Sequence, residues 1–522
     1  MSNKISLTQI LTRSIGILFL VCFIALPSIA QDEPKPLELT VEGAILMALE
    51  NNSAFKIQLM NPELKMSQEE VERSAFDLGI SDTISTSDNK DSSGDSSSRI
   101  SNDMQLSKPL TTGGDISLGL TTNRADSTTT GNYSSKIGLS ISHNLLKGAG
   151  TDIVLASLNK ARLTTKSSKY ELQAYAETLV SQIENTYWDY ALAQKQLQIY
   201  EDSLALAQRQ LDETNVFIEV GKFAEIERIA SEAEVASRNE ALINAKSNIE
   251  KTRLKLLQLL NPPGVDLLNQ KIVIMDDFAI PASDMGELNP HIETALQRRP
   301  DLNQARLQLE RNELDVMVTH NGLLPNMQFF INLGYTGYSD SFTDSLSSIG
   351  GDGSDFQVGL RYSQTIGNRD SSERYKQILI SREQSLESFD NLIQLAKLDV
   401  AQAWIELNRA SEQIIATAAS RKLQEEKLRA ETEKYKVGRS TSLAVAQVQR
   451  DLLSSQIAEI QALANYRRAQ VDLLRLESTL LEHYGISYLD TNTGDNTDDA
   501  NSDGLPYESD PPELAIPVAV KE

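Results

Sequence analysis

The chain is 522 residues long, 40% hydrophobic and 23% charged, with 49 Lys and Arg against 73 Asp and Glu for a net charge of −24. These proportions exclude wholesale disorder and a bundle of membrane helices, and the acidity argues against nucleic-acid binding, which depends on neutralising phosphates. The single cysteine, Cys22, excludes an internal disulfide and a cysteine-based metal site.

Residues 1–30 read as a secretory signal. Lys4 and Arg13 form a basic start, residues 15–26 an apolar stretch, and Ser28-Ile29-Ala30 a small-x-small cleavage site. The stretch is shorter than the roughly 20 apolar residues of a membrane-spanning helix. Phe19-Leu20-Val21 lacks the small residues expected before a lipidated cysteine, so Cys22 is read as part of the discarded peptide. An exported chain without an apolar helix enters a membrane only as β-strands.

The spacing predicts a helix over 39–76, with Ala44, Met47, Ala48, Val71 and Ala75 on one face, and a counterpart over 288–324 ending at Pro325. Each leads to period-2 segments. Ile116, Leu118 and Leu120, then Ile137, Leu139 and Ile141, alternate with small or polar residues, as do Phe329, Ile331, Leu333 and Tyr335, then Phe356, Val358, Leu360 and Tyr362. One-sided strands of this kind, about ten residues long, match the length of a tilted membrane strand, and each half offers one hairpin. Tyr133, Tyr335, Tyr338 and Phe356 lie near strand ends, where an interfacial girdle or a core would both place them. Residues 79–114, rich in Ser and Asp, read either as a loop or as an additional hairpin.

Residues 151–220 and 368–437 lack glycine and proline entirely, about 70 residues each, or roughly 105 Å as helix. Single glycines, Gly221 and Gly438, then precede two shorter helical runs. The two halves superpose: Val220-Gly221 falls on Val437-Gly438, and Trp188 on Trp404, both read as packing residues. A seven-residue stripe runs Ile183, Tyr190, Leu197, Leu204, Leu211 and Ile218 in the first half. In the second it runs Leu379, Leu386, Ile393, Val400, Leu407 and Ile414. This is coiled-coil packing in a duplicated unit. The expected organisation is signal peptide 1–30, first repeat 31–261, linker 262–286 opened by Asn261-Pro262-Pro263-Gly264, second repeat 287–485, and an acidic disordered tail 486–522.

Four strands cannot close a barrel, whose smallest form has about eight, so chains must pool their hairpins. Three copies would give twelve strands, and more if residues 79–114 add a hairpin.

Leu39-Thr40-Val41-Glu42-Gly43-Ala44 with Ala48-Leu49-Glu50-Asn51-Asn52 resembles the opening motif of the TolC-type outer-membrane efflux proteins. Arg299-Pro300-Asp301-Leu302 and Leu323-Leu324-Pro325 are similar to its second-repeat signature. The Val220-Gly221 and Val437-Gly438 turns resemble its paired helix-turn motif, and Leu145-Leu146-Lys147-Gly148-Ala149-Gly150 a strand-to-helix junction of one branch. The resemblance implies an α+β membrane protein: a homotrimer with a twelve-stranded barrel in outer-membrane lipid, continuous with a long periplasmic helical barrel. It also implies a passive exit duct docked to a periplasmic adaptor (membrane fusion) protein and an inner-membrane RND or ABC-type transporter, with no cofactor and no enzymatic activity.

By the same resemblance Val220, Gly221, Val437 and Gly438 are adaptor-docking turns; read alone, the glycines are helix C-caps. The family's gate has acidic residues six after the turn glycine in both repeats, another nine after it in the second, and an arginine two after it. Here these are Glu227, Ala444, Gln447 and Ser440, with Arg439 one position early. An acidic ring therefore rests on Glu227, with Glu225 beside it, and a latch to Arg439 is the expectation set against an ordinary exposed pair. In the tail, Asp499, Asn501, Asp503, Gly504 and Asp510 match calcium-loop spacing. Pro506 interrupts that loop, and Pro511 and Pro512 occupy the start of its helix, so a solvated acidic tail is the preferred reading. His143, His291, His320 and His483 are isolated in sequence and no catalytic motif is present. The competing reading is a periplasmic coiled-coil scaffold that never enters a membrane.

Overall fold

The structure, a computed structural model, describes residues 36–90, 96–125, 133–264, 266–278, 286–351 and 353–486. The signal segment and the calcium-loop candidate of the tail, Asp499 to Asp510, lie outside the described residues. A short strand, β1 (Leu37–Leu39), precedes helices α1 (Val41–Asn51) and α2 (Ser53–Arg73). Strands β2 (Gly79–Lys90), β3 (Ser96–Pro109), β4 (Gly114–Ala125) and β5 (Tyr133–Asn144) lead to α3 (Thr151–Val154), the long α4 (Ala156–Glu219) and α5 (Ile226–Leu260). The second half contains β6 (Ile272–Ile274), α6 (Leu288–Arg298), α7 (Pro300–Asn321), β7 (Asn326–Ser339), α8 (Phe342–Ser347) and β8 (Ser354–Ser363). It ends with the long α9 (Arg369–Lys436), α10 (Ser442–Leu476) and α11 (Leu480–His483).

The long helices have 64 and 68 residues, roughly 96 and 102 Å at 1.5 Å per residue. Their shorter partners α5 and α10 have 35 residues each, so the duplication extends to element length. Among the described residues no helix is long and apolar enough to cross a membrane. Ile183, Tyr190, Val400, Leu407 and Ile414 of the heptad stripe are buried within the chain. Two cores result. One joins α1, α4, α5, β6 and α11 around Val180, Ile183, Tyr187 and Leu256. The other joins α6, α9 and α10 around Val400, Ala410 and Tyr466.

Two expectations, both of continuous helices, are corrected. The helix read over 39–76 breaks at Asn52, where ψ is 116°; the Asn52 side chain accepts from the Phe55 N–H and donates to the Leu259 carbonyl, capping α2. Its counterpart breaks at Arg299, with ψ 123°, because the following Pro300 excludes the helical conformation there. Between the repeats β6 pairs in parallel with β1, and Asp276 beyond it accepts from the Val41 N–H (2.8 Å) and the Tyr187 hydroxyl (2.7 Å).

The sheet decides between the two readings of residues 79–114 in favour of the additional hairpin. β2 and β3 pair with each other, and one antiparallel sheet runs β2-β3-β4-β5-β7-β8, with six strands. Register aligns like with like across it. Leu106, Leu118, Leu139, Leu333 and Phe356 form one row, and Ile116, Ile141, Ile331 and Val358 the next, where β3 contributes Lys108. On the opposite face Ser107, Ser117, Ser140, Asn332 and Gln357 form a polar row beside Gln105, Gly119, Gly138, Gly334 and Asp355. A period-2 pattern in five strands with a common register makes a ribbon greasy on one side and hydrated on the other. The greasy side is uncovered: Phe356 is 71% exposed, and Leu118, Val358 and Leu360 are exposed too.

The turn joining β3 to β4 is locked to the junction ahead of α3. The Asn144 N–H donates to the Gly113 carbonyl and the Gly150 N–H to that of Thr112. Gly113 has φ +96°, and a Cβ there would lie 2.3 Å from the Gly148 carbonyl oxygen, so glycine is required on both counts.

Candidate functional site

The two inter-helix turns lie together at the far end of the helical part from the sheet. Both are Schellman closures built the same way. In the first, the Lys222 N–H donates to the Phe217 carbonyl (2.8 Å) and the Gly221 N–H to that of Ile218 (2.9 Å). In the second, Arg439 donates to Lys434 (2.8 Å) and Gly438 to Tyr435 (2.9 Å). Gly221 and Gly438 take φ of 70° and 75°, where an L side chain is strained even though open space surrounds both positions. The C-cap role of the two glycines is thus present in the fold. Val220 and Val437 stand 69% and 67% exposed at the very tip, with Ile226 and Leu443 exposed beside them.

The turns grip each other. Tyr435 is fully buried, its ring 5.0 Å from that of Phe223 and 5.9 Å from that of Phe217, which contact each other at 5.1 Å. The Tyr435 and Thr214 hydroxyls lie 2.9 Å apart, and burial raises the phenol's pKa. Lys222 lies over the Phe217 ring at 4.6 Å and donates to the Lys436 carbonyl at 3.0 Å, joining the first turn to the second.

The gate residues are placed differently from the expected latch. Glu227 reaches across to the start of α10, where its carboxylate accepts from the Ser442 N–H at 3.1 Å and from the Ser442 hydroxyl. An anion at a helix N-terminus is favoured by the unpaired N–H groups and the helix dipole. Glu225 pairs with Arg228 of its own helix, and Arg439 is exposed. Among the described residues of one chain, neither acid pairs with Arg439. Ser440, standing where the arginine was expected, donates to Glu431 at 2.5 Å and holds that carboxyl below its usual pKa. Further up, Glu234 of α5 is buried between Arg238 (2.5 Å) and Arg450 of α10 (3.2 Å), a second tie between the repeats.

Sequence reasoning missed a further group where α4 meets the residues that follow α10. Glu177 of α4 is 3% exposed, accepts from the Ser478 hydroxyl at 3.1 Å, and is pushed by burial up to about 7. Glu184, one heptad along, is also raised by burial and accepts from the Trp188 indole at 3.3 Å. Trp188 and Trp404 both pack into the cores, as the repeat suggested. His291 pairs with Glu477 at 2.5 Å, a contact invisible in the sequence because the partners lie in different helices. On the polar face of the sheet, Lys136 crosses Gly334 to reach Asp355 at 2.7 Å; a Cβ on Gly334 would sit 2.8 Å from the lysine side chain.

Paired helical hairpins about 100 Å long adjoin a sheet that is apolar on one face and polar on the other, the architecture of outer-membrane channel proteins. The sequence profile of the family described as outer membrane efflux protein matches residues 114–262 and 291–477, and the chain belongs to that family, whose members are channels rather than enzymes. Among solved structures, a membrane protein from Pseudomonas aeruginosa aligns with TM-score 0.66 and 16% identity, covering 84% of this chain and 93% of that one. The CmeC outer membrane channel of Campylobacter jejuni aligns with TM-score 0.63 and 17% identity, covering 84% and 86%. The open state of the MtrE outer membrane channel of Neisseria gonorrhoeae gives 0.60 and 17%, covering 84% and 89%. No curated protein matches the chain significantly.

Proposed function

We propose that this protein is the passive outer-membrane channel of a tripartite efflux or type I secretion system. Three copies pool their sheets into one barrel in outer-membrane lipid and their helices into a tunnel through the periplasm. The observation that carries this reading is the in-register division of the sheet into an apolar and a polar face. An open sheet in lipid leaves its edge groups unpaired at several kcal/mol each, so the ribbon requires other copies to close it. The helices support the same conclusion, since Leu398 and Ile405, one heptad apart on α9, stand 52% and 60% exposed with no cover inside the chain.

In this reading Val220, Gly221, Val437 and Gly438 are the surface met by a periplasmic adaptor protein, which in turn engages an inner-membrane RND or ABC-type transporter. Glu227 and Glu225 from three chains line the entrance and attract cations. The alternative, a soluble periplasmic coiled-coil scaffold, is disfavoured because such a protein gains nothing from an uncovered apolar sheet face. The test is outer-membrane fractionation, followed by electrophoresis with and without boiling and by planar-bilayer recording. A heat-sensitive trimer with channel activity is expected; a detergent-independent soluble monomer would refute the proposal.

A further inference from the structure

The sheet has two free edges, and they decide how copies join. Closure with four strands per chain would bring β8 of one copy to β4 of the next. That edge of β4 is already taken: β3 pairs with it from Arg99↔Ala125 to Pro109↔Asp115. The outer edges of the six-stranded ribbon are β2 and β8. Each pairs on one side only, β2 with β3 and β8 with β7, leaving the other row of backbone donors and acceptors open.

We infer that the β2–β3 hairpin is part of the barrel wall, and that β2 of one copy pairs antiparallel with β8 of the next, so that three copies close eighteen strands rather than twelve. This rests on the trimeric-channel reading above. Six is an even number, and every neighbouring pair in the ribbon is antiparallel, so β2 and β8 run in opposite senses and join without reversing either.

The side-chain alternation is compatible as well. On the apolar face β8 presents Phe356, Val358 and Leu360, while β2 presents Ile80 and Ile84; both isoleucines are exposed along the open edge. On the polar face β8 presents Asp355 and Gln357, while β2 presents Ser81, Thr83 and Ser85. Asp82 falls in the row of Met104, Leu120, Ile137 and Tyr335. The next row, Ile84, Asn102, Thr122, Ser135 and Gly337, is polar in every strand but β2, so the carboxylate stands in the last continuous apolar row, between Ile80 and Ile84 of its own strand.

Barrel diameter grows roughly in proportion to strand number, so eighteen strands give a cylinder about 1.5 times as wide as twelve and about twice its cross-section. The helical tip, with twelve helices in three copies, then becomes the narrow point of the duct.

The seam is tested by cysteine cross-linking of the full-length protein in outer membranes, with Cys22→Ser as background. Ser81→Cys, Thr83→Cys or Ser85→Cys is each combined with Gln357→Cys, all on the polar face; the comparison pair is Thr121→Cys with Gln357→Cys. After oxidation, a denaturing gel is expected to show covalent dimers and trimers in at least one β2 combination and none in the Thr121 pair. A ladder from the Thr121 pair overturns the inference. So does the absence of any β2 ladder in samples that still run as a heat-sensitive trimer, and in that case the channel reading stands. A monomer free of the membrane overturns both. As a measurement without substitutions, electron cryomicroscopy of the detergent-extracted trimer counts the strands directly: eighteen supports the seam, twelve refutes it.

Discussion

Replacing Tyr435 by alanine tests whether the paired turns form one cooperative unit. The ring is fully buried against Phe217 and Phe223, so its removal leaves an aromatic-sized void between them. Truncating a buried aromatic costs about 3–5 kcal/mol. The loss falls on the tip, since the contacts of Tyr435 are with Phe217, Phe223 and Thr214. If the tip opens as a unit, amide exchange over residues 213–223 and 431–441 accelerates about 100- to 3000-fold, at tenfold per 1.4 kcal/mol. Tyr435→Phe keeps both ring contacts and loses only the hydroxyl. Thr214 retains its bonds to the Gln210 carbonyl (2.7 Å) and Ser231 (3.3 Å), so this change costs about 1 kcal/mol and accelerates exchange about fivefold. Hydrogen exchange with mass spectrometry separates the two variants. If Tyr435→Ala raises tip exchange no more than Tyr435→Phe does, the aromatic cluster does not hold the turns together.

Further outcomes are expected at Glu177, at the Gly438 turn and at the acidic entrance. Glu177→Gln should flatten the dependence of stability on pH: a carboxyl raised from 4.5 to about 7 stabilises the fold when protonated, and that stability, about 3 kcal/mol, is lost as pH rises from 4.5 through 7. Urea unfolding at pH 5 and pH 8 should therefore converge in the variant, and an unchanged pH slope would count against the burial argument. Gly438→Ala should cost about 1 kcal/mol through its φ of 75°, with Gly438→Asn milder, read as faster trypsin cleavage at Lys436 and Arg439. Glu225→Ala with Glu227→Ala should reduce cation selectivity in planar bilayers. Glu227→Ala alone should loosen the tip by about 1–2 kcal/mol through its lost bonds to Ser442, and Arg439→Ala should leave tip stability unchanged; unaltered selectivity in the double variant would reject the acidic entrance.

The helical part was legible because its signals are local. Glycine and proline are absent from two runs of about 70 residues, and the heptad stripe repeats in both halves. The break at Arg299 was written in Pro300; that at Asn52 depends on a side chain capping its own helix and reaching the Leu259 carbonyl, a distant partner. The extra hairpin escaped a firm reading because its upper rows are polar on both faces, so Ser and Asp mask the alternation of Ile80, Ile84, Ile100 and Met104. Glu227 illustrates the limit for sites. Its position six after Gly221 was visible, but its acceptor role at the start of α10 depends on how the two repeats lie side by side. The buried Glu177 carried no sequence signal, since an acid on a helix is ordinarily solvated.

The pairing of β1 with β6 imposes an order on biogenesis. Leu37 to Leu39 leave the ribosome and the export machinery early, yet their strand partner among the described residues, Ile272 to Ile274, emerges 235 residues later. Until then the Leu39 carbonyl and Val41 N–H lack the strand and the Asp276 carboxylate that later engage them, so the waist of the molecule stays unfinished while the first repeat is already outside the cell's inner membrane. A nascent chain stalled before Asp276 should therefore remain protease-sensitive at its leading end, and only delivery of the second repeat fastens it.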